Sequence, residues 1–128
     1  MKVTIGHDGY IPLKTSVQKL KVIDIRETVW EGIGPALEWL FEVDSGSHKG
    51  CQLKALMNRG NSLGPKSKFG RWYHAITGLW LKKGDVIDTD ILKGRLCLAK
   101  VTFRFSKKGK PSNEVDLIPT EVLNDANA

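Results

Sequence analysis

The sequence predicts a mainly β domain: a five-stranded barrel of order β-β-β-α-β-β, with one helix between the third and fourth strands. Three observations predict it. Apolar and polar residues alternate at period two in five separate stretches between Val17 and Ile118, the pattern of strands with one buried face. The period lengthens to that of a helix once, where Phe69, Trp72, Tyr73, Ile76 and Trp80 fall on one face,. The chain has 128 residues, the length of one domain, and such a domain buries roughly 65–70% of its unfolded surface without needing staples.

The elements follow in order. Residues 1–16 mix Gly, His, Pro and Lys without a period and read as an N-terminal arm. The first strand starts at Val17. Leu20 and Val22 share a face, and then Ile23 and Ile25 take over, opposite Asp24, Arg26 and Thr28. A phase flip of one residue implies a β-bulge or a strand serving two sheets. The breaker cluster Glu31-Gly32-Ile33-Gly34-Pro35 ends this strand near Trp30,. The second strand covers about Leu37 to Val43, with Leu37, Trp39, Phe41 and Val43 on its apolar face. A polar hairpin loop, Asp44 to Gly50, leads to a third strand from Cys51 to Asn58. Pro65 and Ser67 suit the start of the helix and Gly78 its end,. Residues 82–94 read as a loop with one helical turn ending at Gly94. The fourth strand runs from Arg95 to Phe105, the basic turn from Ser106 to Asn113, and the fifth strand from Glu114 to Ile118. Pro119 stops the pattern, and 120–128 form an acidic tail,.

This connectivity is that of the OB-fold, a five-stranded Greek-key barrel. Closure is inferred from the position of the helix and the split first strand; an SH3-like or other small barrel competes. Several stretches carry a resemblance: Trp39-Leu40-Phe41-Glu42-Val43, Lys66-Ser67-Lys68-Phe69, Ala75-Ile76-Thr77-Gly78, Leu92-Lys93-Gly94-Arg95-Leu96-Cys97-Leu98 and Asn113-Glu114-Val115. Over roughly residues 30–120 the chain resembles small phage-type and uncharacterised microbial OB-fold proteins. Arg95 stands where that group more commonly has Lys. The resemblance implies single-stranded-nucleic-acid binding, often in phage or mobile-element replication, and no catalytic residue.

Composition excludes several classes. Hydrophobic residues are 41% and charged residues 27% of the chain, so wholesale disorder is excluded. No apolar stretch approaches the ~20 residues of a membrane helix, and the start MKVTIGHDGY lacks an apolar signal core,. Cys51 and Cys97 form no C-x-x-C pair; they read as buried free thiols, with a single bridge left open. The expectation is a cytoplasmic protein of phage or microbial host. The formal charge of +6 is unevenly spread: residues 65–110 carry 12 basic side chains against Asp85, Asp88 and Asp90. Such a segment attracts polyanions, because neutralised phosphates release counterions.

An OB-type barrel binds single strands across its second and third strands, between the 1–2 and 4–5 loops. That chemistry needs a positive track and exposed aromatics. The candidates are Lys107, Lys108 and Lys110 in the 4–5 loop, Lys54 on the third strand, Lys100 and Arg104 on the fourth, Arg59 after the third, and Arg26 and Trp30 on the first. Trp30 is the stacking candidate. The competing readings are a solvated strand face for each cation and a core plug for Trp30. Trp39, Phe41, Trp72 and Phe103 read as core. Glu38 and Glu42 face outward on the second strand, so the expected face is not purely basic.

Enzyme chemistry finds no motif. His7, His48 and His74 are scattered and make no H-E-x-x-H,. Asp85, Asp88 and Asp90 lack the Gly and terminal Glu of a calcium loop,. Gly60 to Ser67 ends in Pro-Lys-Ser rather than Gly-Lys-Ser/Thr, so it is no P-loop,. The sequence therefore points to a non-enzymatic, cofactor-free binder of single-stranded nucleic acid. The first alternative is a protein-interaction module, an accessory subunit of a phage or replication assembly. A carbohydrate binder is the more distant one. DNA versus RNA and oligomeric state stay open.

Overall fold

In the computed structural model, which describes residues 11–12, 14–59, 66–105 and 107–119, strand β1 runs from Thr15 to Trp30. Pro65, most of the expected arm (1–10 and 13), Ser106 and the acidic tail 120–128 lie outside the described residues. β1 serves two neighbours. Its first part, Thr15 to Lys21, pairs with Thr102 to Leu96 of β4 (Leu96–Phe105). From Leu20 to Trp30 it pairs with β2 (Gly34–Val43). The register shifts between Val22 and Asp24, so the phase flip in the sequence is a bulge. Val22 is held there by the loop before β4: its N–H donates to the Arg95 carbonyl at 2.9 Å, and its carbonyl accepts from the Gly94 N–H at 2.7 Å. Lys93 fixes the same corner, with its ammonium 3.2 Å from Asp24 and 3.0 Å from Asp90. The Lys93 hydrogen bond holds the Asp24 carboxyl below its ordinary value.

Three strands begin earlier than the sequence predicts. β1 starts at Thr15 rather than Val17, because Thr15 and Ser16, expected in the arm, pair with Thr102 and Val101 of β4. β2 starts at Gly34 rather than Leu37. Gly32 and Gly34 have φ of 80° and 110°, and the Ile33 N–H donates to the Trp30 carbonyl at 2.9 Å. Left-handed glycines make the turn tight, so the ladder zips fully to Trp30 and Gly34,. β5 (Pro111–Leu117) starts at Pro111 rather than Glu114. A proline is tolerated as the first residue of an edge strand, where no ladder donor is lost. With β3 (Gln52–Asn58), the five strands form one antiparallel sheet of order β3-β2-β1-β4-β5. The two outermost strands, β3 and β5, come within 8 Å of one another between Cα atoms. Among the described residues no ladder joins them, so the expected closed barrel is open along this seam.

Helix α1 spans Lys68–Thr77. Ser67 caps it, with its hydroxyl accepting from the Gly70 N–H at 3.2 Å,. Gly78 ends it in the left-handed conformation (φ 77°), its N–H donating to the His74 carbonyl at 2.8 Å,. Trp80 is therefore not on the helical face the sequence predicts. It folds back and stacks on the buried His74 ring, 3.7 Å between centroids.

The core joins α1 to β2. Trp39 meets Trp72 edge-on at 5.2 Å between ring centroids and Phe41 in a stack at 5.8 Å, and Phe69 lies at 6.1 Å. All four rings are buried. Ile11 is also fully buried, tied at both backbone groups by one side chain: its N–H donates to Asn113 Oδ1 at 2.6 Å, and its carbonyl accepts from Asn113 Nδ2 at 3.0 Å. Cys51 and Cys97 are free and buried. Burial pushes the Cys97 thiol up to about 12, so it stays protonated,. Among the described residues no helix is long and apolar enough to cross a membrane.

Candidate functional site

The seam between β3 and β5 is a cleft of about 500 Å³. Period-two alternation puts Lys54 and Leu56 of β3 on the solvent side, because Leu53 and Met57 take the core,. The same rule puts Arg104 of β4 and Glu114 of β5 outward, opposite Val101 and Val115. The cleft is lined by these four, by Trp30 at the end of β1 and by Lys68 at the start of α1. An adjoining hollow of about 420 Å³ shares Lys54, Ser112 and Asn113 with it and extends to Gln52 and Pro111.

Three of the residues nominated from the sequence, Trp30, Lys54 and Arg104, therefore meet at one place. Trp30 is 39% exposed and sits outside the core, so it is no core plug. Arg26 lies beside this group. It is opposite Glu38 in the β1–β2 ladder and forms an ion pair with it, and that carboxylate raises the Arg26 guanidinium above its ordinary value. Arg104 pairs likewise with Glu114 at 2.6 Å. The arrangement answers the problem posed by the outward carboxylates. Glu38 and Glu114 each face an arginine, which leaves the positive charge of Lys54 and Lys68 uncancelled in the cleft.

Lys107, Lys108 and Lys110 are exposed in the short turn between β4 and β5, just before Pro111 and the smaller hollow. Lys100 is elsewhere: it faces outward on β4 with Asp116 as its ladder neighbour and does not line the cleft. Arg59 is also separate. It pairs with Glu27 and lines a hollow of about 320 Å³ with Asp85 and Asp88, an anionic environment. Among the described residues no group of three or more His, Cys, Asp or Glu is placed to hold a metal ion.

Two residues of interest escaped the sequence reading. Lys68 adjoins the aromatic face of α1, and its ammonium stands 4.9 Å from the Trp72 ring centroid while lining the cleft. Phe105 continues the apolar stripe of β4 yet is 68% exposed, and Phe103, expected in the core, is only half-buried. The sequence signal for Lys68 was its place directly before Phe69 at the start of the aromatic helix, and for Phe105 the basic turn that follows it. Compared with models of known protein families and with curated protein sequences, the chain matches none.

Proposed function

We propose that this protein is a non-enzymatic binder of single-stranded nucleic acid, with low sequence preference, and that the strand lies along the cleft between β3 and β5. The observation that carries the reading is the convergence there of an exposed indole (Trp30) and two lysines outside any cleft ion pair (Lys54 and Lys68); the basic β4–β5 turn adds charge next to Pro111 of the adjoining hollow. Phosphates need a positive track, and bases need an aromatic face. The sheet order supports an OB-type barrel whose last seam is left to the ligand, since β3 and β5 are the strands that such a barrel would join,. The same reading goes with a protein acting in the cytoplasm of a phage or microbial host cell.

The open edges of β3 and β5 favour a second reading, in which an extended peptide of a protein partner adds to one edge as a further strand,. A titration separates the two. With a labelled oligo-dT of about 15 nucleotides, a site covering several phosphates, we expect saturable binding at 20 mM salt. Each phosphate neutralised steepens the fall of log K with log salt by about 0.7, so three to four contacts give a slope of roughly −2 to −3. Absence of binding at low salt overturns the nucleic-acid reading and leaves the peptide edge standing.

A further inference from the structure

We infer that Phe105 is a base-stacking platform at the mouth of the cleft; the inference deepens the single-strand reading above and rests on it. β4 pairs with β1 only as far as Thr102. From Phe103 to Phe105 its ladder partner is β5, with Phe103 opposite Asn113 and Phe105 opposite Pro111. The hairpin thus outruns the rest of the sheet. Phe105 has the same parity as Cys97, Ala99 and Val101, the core face of β4, but among the described residues it takes no place in the core. A side chain that alternation would bury stands in solvent instead.

Its orientation is set from below. The Phe103 ring meets Phe105 edge-on, 5.0 Å between centroids, an arrangement that aromatic pairs prefer. Lys107, Lys108 and Lys110 follow directly in the turn, all exposed, and Pro111 opposite Phe105 lines the smaller hollow of the cleft. A nucleotide offers a flat π-face and an anionic phosphate about one residue apart. The hairpin offers both complements close together in the chain: a ring that meets its neighbour edge-on, and the exposed Lys107, Lys108 and Lys110.

The test compares wild type, Phe105→Ala and Phe105→Trp in binding oligo-dT and an abasic phosphodiester of equal length. Loss of one stacked base weakens binding by about tenfold. We expect Phe105→Ala to lose that factor on oligo-dT, to keep the wild-type salt slope, and to bind the abasic strand as wild type does. Phe105→Trp should retain tight binding. An exposed ring is not a folding determinant, so thermal melts of the three proteins should coincide. If wild type binds oligo-dT and Phe105→Ala binds it equally well, the stacking inference fails and the cleft reading survives. If wild type binds neither strand, the underlying reading fails. If Phe105→Ala instead turns a dimer into a monomer, or abolishes binding to vesicles of anionic phospholipid, the ring serves a different partner and the inference is overturned.

Discussion

Replacing Trp39 with alanine is expected to lower the unfolding free energy by about 4 kcal/mol, the middle of the range for emptying a large aromatic site. The indole is fully buried and touches three rings at once, Phe41 from its own strand and Phe69 and Trp72 from α1. Alanine cannot fill that volume, and these ring contacts are ones that tie α1 to β2. Domains of this size are stable by about 5–15 kcal/mol, so the loss is a large share of the total. It corresponds to a fall in melting temperature on the order of 15 °C. Trp39→Phe should behave quite differently. The Trp39 Nε1 is buried without a hydrogen-bond partner, and an unsatisfied buried donor costs about 1–3 kcal/mol. Phenylalanine loses volume but also removes that donor. The two effects oppose, and a net change within about 1 kcal/mol is expected. Urea unfolding of the three proteins, followed by circular dichroism, checks both values.

The second large effect is on binding. Lys54→Glu/Lys68→Glu is expected to weaken oligo-dT binding at 100 mM salt on the order of 100-fold. Each lost phosphate contact removes about 0.7 from the salt slope, which at 0.1 M is close to a fivefold loss. Two lost contacts give about 25-fold, and the two new carboxylates add repulsion to the strand. Lys82→Glu/Lys83→Glu changes the net charge by the same amount at exposed positions that do not line the cleft. That control should weaken binding by less than about fivefold, because charges beyond a Debye length of ~10 Å are screened. Equal losses in the two double variants would mean that only the overall charge matters and that the cleft is not the site.

How far the site could be read from the chain depends on register. Strand parity is a local property, so Lys54 and Arg104 were legible as outward residues, whereas Trp30, at the end of its strand, stood open between stacking and core until its exposure decided it. The bulge at Val22 was legible too, since it leaves a phase flip in the pattern. Ion pairs are a different matter. Arg26 faces Glu38 because the β1–β2 turn is only three residues long, and Arg104 reaches Glu114 diagonally because β5 begins at Pro111. Turns bounded by Gly34-Pro35 and Pro111 look like longer breaks in the sequence, and an error of three residues in strand length hides every cross-strand partner. Trp80 misled for a related reason. It keeps the helical spacing, but a left-handed Gly78 has already ended the helix. Phe105 kept the spacing of a buried stripe, and only the end of the β1 ladder at Thr102 reveals that it lies beyond the core.

The most direct measurement is backbone amide chemical-shift mapping of the full chain during titration with oligo-dT at low salt. The account predicts that the largest shifts cluster at Trp30, Lys54 to Leu56, Lys68, Arg104, Ser112 to Glu114 and the turn 107–110, and that they saturate together. Shifts concentrated instead around Arg59, Asp85 and Asp88, or spread evenly over the lysines of every face, would contradict it.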